Sequence, residues 1–186
     1  MDRVSRPAVR EGVLERSDRE LVEAACAGDV DGFRELYERY HRMAVGIAYS
    51  RLSDRHLAED AAQEAFAVAC RRLCSLKNGN RFPQWLGTIC RRTASRMARS
   101  QTSGAPLERR DIVDPPGNDE ETVGPRVRQA LERLSAPQRE VIHLHYFSGL
   151  SYKEIARALG TTSQAVHGRL QRARRVLARR LSERDE

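Results

Sequence analysis

The most concentrated chemistry in this sequence is a run of arginine and amide side chains near its C-terminal end. Residues 163–182 contain six arginines and no aspartate or glutamate. On a helix, the outer face of this run would present groups that bind phosphates and hydrogen-bond to base edges. Such a helix fits a DNA major groove. The candidate DNA-contacting residues are Thr162, Ser163, Gln164, His167, Gly168, Arg169, Gln171, Arg172 and Arg175.

A second basic stretch runs from residue 81 to residue 101, with five arginines and no acid. A solvated helix surface normally alternates arginine with glutamate, so the missing acids favour a polyanionic partner. Phe82 and Trp85 stand beside these arginines and either stack on unpaired bases or belong to the core. On a helical wheel the polar face opposite the apolar stripe carries Gln84, Thr88, Arg91, Ser95 and Arg99, with Arg92 beside it.

The remaining reactive side chains do not form a catalytic or metal site. Cys70 and Cys74 would share a helix face, but no CxxC pair or HxxxH partner supports zinc. His143 and His145 are two residues apart and lie on different helix faces, which argues against a metal nuclease. We therefore expect no enzyme, cofactor or metal. The four cysteines are expected to be buried core thiols and not a disulfide scaffold; they are Cys26, Cys70, Cys74 and Cys90.

Composition indicates a soluble, helix-rich chain. The 186 residues carry a formal charge of +7, and Lys77 and Lys153 are the only lysines among 33 basic residues. No apolar run approaches the roughly 20 residues that a membrane span needs. The first 16 residues are polar and contain no apolar segment typical of a signal peptide. We expect a cytoplasmic protein that makes no membrane contact.

The charge pattern divides the chain into two basic lobes and an acidic connection. Residues 1–99 carry net +4, residues 100–125 net −4, and residues 126–186 net +7. The middle stretch holds four prolines and three glycines and has no helical period, so it is predicted to be an extended, flexible linker. The predicted organisation is an N-terminal tail at 1–16, an N-terminal lobe at 17–101, a linker at 102–125 and a C-terminal lobe at 126–186.

Both lobes are predicted to be helical. In the N-terminal lobe a capping box at Ser17 opens the first of four helices, and Pro83 suits the first turn of the fourth. In the C-terminal lobe, capping boxes at Ser135 and Ser151 open two helices, and Gly160 ends the second. The arginine-rich helix follows. A short helix, a tight turn and a longer helix is a helix-turn-helix, although an ordinary three-helix bundle with a basic surface is the alternative.

Several motifs in chain order resemble the extracytoplasmic-function (ECF) sigma factors. Residues 58–66 (AEDAAQEAF) and 82–92 (FPQWLGTICRR) are similar to sigma region 2. Residues 134–142 (LSAPQREVI), 151–160 (SYKEIARALG) and 166–174 (VHGRLQRAR) are similar to sigma region 4. Together the motifs cover about 150 residues, with the linker between them. The ordered set is far more specific than any one motif.

The resemblance implies a transcription initiation factor that binds core RNA polymerase as a monomer. By position, Asp60, Gln63 and Glu64 would lie on the helix that docks the polymerase clamp helices, and region 4 would lie near the polymerase flap. Acidic side chains suit basic residues of such a partner. Many relatives are held inactive by an anti-sigma factor, so this partner is also expected here.

The resemblance also assigns DNA-reading roles to both basic stretches. The loop at 75–82 would capture a flipped-out base of the −10 element, and the arginine face after it would hold the melting strand. Region 4 would read the −35 element as duplex. The residues assigned to the −10 element are Lys77, Asn78, Asn80, Arg81, Phe82, Trp85, Thr88, Arg91, Arg92 and Arg99.

One alternative from the same broad class is a stand-alone helix-turn-helix activator. Its final helices would resemble residues 134–181, and it would dimerise on palindromic sites. It leaves the motif at 58–66 unexplained. We therefore expect an all-α sigma factor with two small helical domains.

Overall fold

The fold is built of α-helices only, which confirms the predicted class. The computed structural model describes residues 16–103 and 125–182, and it contains no strand in those ranges. None of the helices in the described ranges is long and apolar enough to span a bilayer. The helices are α1 (Asp18–Cys26), α2 (Val30–Leu52), α3 (Arg55–Arg72), α4 (Phe82–Ser103), α5 (Pro125–Glu132), α6 (Ala136–Ile142), α7 (Tyr152–Leu159) and α8 (Ser163–Ser182).

Local capping chemistry fixes the starts of the N-terminal helices. Ser17 and Glu20 form the predicted capping box of α1, with the Ser17 amide donating to Glu20 at 2.7 Å. Asp29 caps α2, and Asp54 caps α3 by accepting from the Leu57 amide at 2.9 Å. Two one-turn 3-10 helices, Leu73–Ser75 and Gly79–Arg81, lie between α3 and α4.

The C-terminal lobe has the predicted helix-turn-helix. Ser151 and Glu154 cap α7, and Gly160 ends it in the left-handed conformation at φ 62°. Thr162 then accepts a hydrogen bond from the Ala165 amide at 3.1 Å and so opens α8. Two features were not predicted: helix α5 precedes α6, and α6 continues into a turn of π-helix, His143–Phe147, before the chain turns at Gly149.

The two lobes pack against each other and share one hydrophobic core. Leu36, Ile47 and Leu86 of the N-terminal lobe belong to the same buried cluster as Leu144 and Ile155 of the C-terminal lobe. Helix α2 packs on α6 and the π-helical turn, while α4 packs on α7. The sequence predicted two separate lobes because each has its own amphipathic helices, and it carried no signal for their mutual contact. The predicted linker lies almost entirely outside the described residues.

The prediction for the cysteines was wrong. Cys26 at the end of α1 is joined to Cys74 in the 3-10 turn after α3, with a Cα–Cα distance of 5.5 Å. Cys70 is a free, exposed thiol. Only Cys90 is a buried thiol, and burial raises its pKa to about 12. The partners of the disulfide are 48 residues apart, so spacing along the chain could not reveal that they meet.

Candidate nucleic-acid interface

The outer face of α8 is open to solvent along its length. Ser163, Gln164 and His167 are exposed at its first turns, and Gln171, Arg172 and Arg175 are exposed further along. Val166, Leu170 and Ala173 fix the opposite face because they are fully buried in the core. The 3.6-residue period therefore presents the predicted DNA-contacting residues together on one side.

A shallow concave surface of about 410 Å³ lies on this face, along the N-terminal half of the helix. Gly168 forms part of it, and a Cβ built there would lie 3.5 Å from a terminal nitrogen of Arg172. The Arg172 guanidinium thus folds back over the glycine. The other residues that line this surface are Thr162, Gln164, Ala165 and Arg169.

Arg174 of α8 contacts an aromatic side chain of the π-helical turn. Arg174 donates to the Tyr146 hydroxyl at 2.7 Å and lies 5.5 Å from the centre of its ring. Tyr146 comes from the π-helical turn and is 53% exposed. This pair was not predicted, because the unpredicted π-helical turn places Tyr146 next to Arg174.

The segment between α3 and α4 has a defined shape with an exposed polar edge. The Asn78 side chain accepts from the Asn80 amide at 3.1 Å, and the Asn78 carbonyl accepts from the Arg81 amide at 2.9 Å. Lys77, Asn78, Asn80 and Arg81 all point to solvent. Gly79 is buried instead, since a Cβ there would come within 2.7 Å of the Arg19 Cα in α1.

The two aromatic residues beside this segment are core residues to different degrees. Phe82 is 0% exposed and packs on Tyr40 with a ring-centre distance of 5.5 Å. It cannot stack on a base in this conformation. Trp85 is half-buried, 6.1 Å from Phe82 by ring centres, and keeps an accessible edge. The sequence left open whether these residues stack on bases or belong to the core. Burial assigns Phe82 to the core and leaves Trp85 partly accessible.

The arginine face of α4 is divided between solvent and the C-terminal lobe. Arg92 and Arg99 are exposed, and the Thr88 hydroxyl donates to the Gln84 carbonyl at 3.0 Å. Arg91 turns inward: its Nε donates to Glu140 of α6 at 2.8 Å. In the closed arrangement Arg91 therefore contacts a carboxylate of the other lobe. Its contact with the melting DNA strand stays a prediction.

Glu140 is one of two buried carboxylates that join the lobes. It is 5% exposed, and Arg51 lies 3.8 Å away on its other side. Two cations from the N-terminal lobe therefore neutralise one carboxylate of the C-terminal lobe, which a buried charge requires. Burial lowers the pKa of Arg51 although Glu140 opposes the shift.

The second carboxylate reverses this arrangement. Asp18 of α1 is 3% exposed and accepts from Arg39 at 2.8 Å and from the Tyr40 hydroxyl at 2.5 Å. Arg157 of α7 completes the site at 2.6 Å. Burial, and then the contact with Asp18, raise the pKa of the Tyr40 phenol above its usual range. In the sequence Asp18 looked like an ordinary residue of the capping box.

Close backbone approach and aromatic contacts fill the space between these ion pairs. A Cβ at Gly87 of α4 would lie 3.1 Å from the Ala158 carbonyl oxygen of α7. His143 lies across from Tyr49 of α2, with ring centres 5.0 Å apart, and its Nδ1 has no hydrogen-bond partner. Burial lowers the pKa of His143 to about 4, and the nearby Arg139 adds to that shift.

The predicted polymerase-binding residues lie on the outer side of α3. Asp60 and Gln63 are exposed. Glu64 is half-exposed and forms an ion pair with Arg96 of α4. The three side chains are thus accessible, but Glu64 is shared with an intramolecular partner. Within the described residues no group of three or more metal-ligating side chains comes together.

Together, the helix-turn-helix and the basic helix faces are typical of a DNA-binding protein. Family models for Sigma-70 region 2 and Sigma-70 region 4 match residues 36–104 and 125–177. A curated ECF RNA polymerase sigma factor is 34% identical over 91% of this chain, so the chain belongs to the family of ECF RNA polymerase sigma factors. Members of this family bind core RNA polymerase and direct it to promoters with −10 and −35 elements.

Two curated relatives support this assignment. The ECF RNA polymerase sigma factor SigM of Mycobacterium tuberculosis is 34% identical over 173 residues, which cover 91% of this chain and 87% of the relative. The ECF RNA polymerase sigma factor BldN of Streptomyces coelicolor is 33% identical over 171 residues, 87% of this chain. The matched region spans only 65% of that longer relative.

A solved structure has the same arrangement of helices. The sigma factor RpoE of Bartonella quintana, crystallised in complex with the anti-sigma factor NepR, superposes with a TM-score of 0.58 at 27% identity. The match covers 84% of this chain and all of that chain, at 100%. A stand-alone helix-turn-helix activator is not favoured, because it would account for the C-terminal lobe alone.

Proposed function

We propose that this sigma factor reads the −35 element with α8 and the −10 element with the 77–81 segment, and that it must open between its lobes to do both. The contrast between its two basic faces carries this proposal. The face of α8 is exposed, whereas Arg91 of α4 is held by Glu140 of the other lobe. The closed arrangement is therefore the resting state of the protein. We infer that the protein acts in the cytoplasm, together with the polymerase.

The duplex-reading role of α8 rests on its chemistry. Gln164 and His167 stand near its N-terminal end, where a recognition helix meets base edges, and Arg172 and Arg175 follow. Buried Val166 and Leu170 hold the opposite side against the core. Amide and guanidinium groups pair with adenine and guanine edges, which makes Gln164 and Arg172 the candidate base readers of the −35 element, while Arg175 further along suits a phosphate.

The base-capturing role of the 77–81 segment rests on its exposed polar edge. The side-chain amides of Asn78 and Asn80 are exposed while their backbones form a tight turn, although the Asn78 side-chain oxygen already accepts from the Asn80 backbone amide. Lys77 and Arg81 flank them and suit phosphates. The half-buried Trp85 is the remaining aromatic surface for a flipped base, since Phe82 is buried.

Distance explains why the closed arrangement is a resting state. The described residues, 16–103 and 125–182, form a compact body with a radius of gyration of about 15 Å, roughly 40 Å across. The −10 and −35 elements lie about 25 base pairs apart, which is roughly 85 Å of duplex. The two lobes must separate before both elements can be contacted, and that separation also frees Arg91.

An anti-sigma partner would shift the equilibrium between the closed and the open arrangement of the two lobes. RpoE of Bartonella quintana, which has a similar fold, was solved in complex with an anti-sigma factor. A partner of this class that binds both lobes of the closed arrangement would hold Asp18 on Arg157 and keep the chain inactive. We infer such a partner for this chain. The polymerase clamp helices and flap would compete with that partner for binding to the chain.

Run-off transcription with purified core polymerase tests the proposed function. The wild-type chain should direct initiation from a defined set of promoters in a genomic library, and core polymerase alone should not. Truncating the reading side chain by Gln164→Ala should abolish selection at the −35 element, while Glu132→Ala on the exposed surface of α5 serves as the matched control. Initiation that is indifferent to the presence of the chain would refute the proposal.

A further inference from the structure

The disulfide between Cys26 and Cys74 joins the end of α1 to the 3-10 turn after α3. Cys26 is the last residue of α1, and Cys74 lies in the 3-10 turn that leads to the 77–81 segment. Both cysteines are exposed, and 48 residues of sequence separate them. The bond therefore connects α1 directly to the approach of the predicted −10 reading segment.

Helix α1 also takes part in the contact between the lobes. Its first residue, Asp18, accepts the hydrogen bond from Arg157 of α7 at 2.6 Å. Its second residue, Arg19, packs so closely on Gly79 that a Cβ at Gly79 would lie 2.7 Å from the Arg19 Cα. Leu21 and Val22 are its only buried apolar side chains. A nine-residue helix with so small an apolar face depends on tertiary contacts for its stability.

We propose that Cys26 and Cys74 form a reversible redox switch that fastens α1 to the 73–81 region and thereby holds the two lobes closed. This inference rests on the proposed function only for its effect on transcription. In the oxidised form α1 is fixed at its C-terminal end, so Asp18 stays in position for Arg157. In the reduced form that end is released and the contact between the lobes weakens.

The chemistry needs only a low-molecular-weight disulfide as the oxidant. The thiolate of one cysteine attacks a sulfur of that disulfide, forms a mixed disulfide and expels one small thiolate. The second cysteine attacks the protein sulfur of the mixed disulfide and expels the other small thiolate. Two protein thiols and one small disulfide thus become one protein disulfide and two small thiols, and a dithiol reductant reverses the exchange.

Exposure and compartment distinguish a switch from a structural staple. Disulfides in a reducing cytoplasm are usually transient and redox-sensing, and exposed ones are the labile ones. Small thiols can reach both cysteines of this pair, whereas Cys90 is buried with its pKa raised to about 12 and does not react. Cys70 is exposed and unbonded, so it provides a matched control in the same region.

Thiol counting and hydrogen exchange on the full-length chain test the switch itself. Oxidised protein should show two titratable thiols after denaturation and reduced protein four, with peptide mapping that locates the bond at Cys26–Cys74. Reduction should lower the melting temperature by roughly 5–15 °C and speed amide exchange in α1 by about tenfold. Cys26→Ser and Cys74→Ser should behave as reduced protein in either buffer, and Cys70→Ser as wild type.

The switch is overturned by four titratable thiols after treatment with the small disulfide, by a bond mapped to Cys70, or by α1 exchange that ignores the redox state. Run-off transcription adds the functional arm: reduced protein and Cys26→Ser should yield severalfold more transcript than oxidised wild type. Equal transcript from both redox forms would overturn the link to closure. Absence of transcript from every form would refute the proposed function, while thiol counts and exchange still decide the switch.

Discussion

The Arg157 guanidinium of α7 donates to the buried Asp18 carboxylate of α1 at 2.6 Å, across 139 residues of sequence. In a second ion pair between the lobes the direction reverses, and Arg91 of α4 donates to the buried Glu140 of α6. Each lobe thus buries one carboxylate and supplies a cation for the carboxylate of its partner. Opening the lobes would leave both carboxylates with fewer partners, so water must replace the lost contacts.

Replacing Asp18 by asparagine should open the closed arrangement. The variant removes the charge that attracts Arg157 and Arg39 but keeps a side chain of similar size. We expect a loss of about 1–3 kcal/mol and a melting temperature lower by roughly 2–12 °C, because hydrogen bonds from two partly exposed arginines to a charged acceptor are weakened. Small-angle scattering should show a larger radius of gyration. Glu23→Gln breaks only an exposed pair on the same helix, and an equal effect there would contradict the argument.

Replacing Gly87 by alanine separates local from tertiary effects. In a helix interior alanine is about 1 kcal/mol more favourable than glycine, so α4 itself should gain stability. In the closed arrangement the new Cβ would lie 3.1 Å from the Ala158 carbonyl oxygen, and backbone atoms yield poorly. The variant should therefore show more open molecules by scattering with unchanged helical circular dichroism. A radius of gyration equal to wild type would show that α7 accommodates the methyl group.

Stability should depend on His143 below neutral pH. Burial lowers its pKa to about 4, whereas the unfolded chain has the ordinary value of about 6.5. Between these values the unfolded state binds a proton that the folded state does not, so the free energy of unfolding falls as the pH falls through this window. The loss should reach on the order of 2–3 kcal/mol near pH 4.

The measurement is chemical denaturation of wild type and His143→Gln from pH 7.5 to pH 4.5. Because Arg139 and Tyr49 face this ring from the two lobes, the glutamine variant should keep the packing but flatten the slope. His145→Gln, at a histidine that contacts the Leu150 carbonyl at 3.0 Å, is the comparison. Identical slopes in wild type and His143→Gln would assign the pH dependence to other groups.

Charge reversal on α3 should weaken polymerase binding. Asp60→Lys and Glu64→Lys together replace two accessible acids by cations that repel a basic partner surface. Because Glu64 also pairs with Arg96, the single variant Asp60→Lys separates the intermolecular effect from the lost ion pair. Affinity for core polymerase should fall at least tenfold, mainly at low salt, with unchanged helical content. Glu132→Lys, which makes the same charge change elsewhere, should bind normally.

Two arginines of α8 should differ in what they contribute to promoter binding. Arg172 lies over Gly168 beside the concave surface, whereas Arg175 is exposed further along the helix. Arg172→Ala should cost about 1–3 kcal/mol of affinity and relax selectivity at one base pair. Arg175→Ala should weaken binding to all DNA sequences alike and lower the salt dependence of the affinity by roughly one unit of slope. Holoenzyme binding across a salt series checks both, and equal sequence-independent losses would mean that Arg172 contacts phosphate only.

The sequence alone determined the helices and the basic faces. Capping boxes at Ser17 and Ser151, and the helix-ending Gly160, act through hydrogen bonds within a few residues, so they can be recognised without a structure. The open face of α8 was predictable for a related reason, since its period of buried Val166 and Leu170 fixes which side chains remain outside. Motif order then led to the sigma factor family.

Only the tertiary structure decided which of these residues are free to act. Whether Arg91 faces a phosphate or Glu140, and whether Phe82 is a stacking surface or core, depends on helices that meet across the chain. The bond from Cys26 to Cys74 has the same origin, because the end of α1 meets the turn after α3 only in the folded molecule. Such contacts depend on how several helices pack together, and a helical period specifies a buried face but not the partner that buries it.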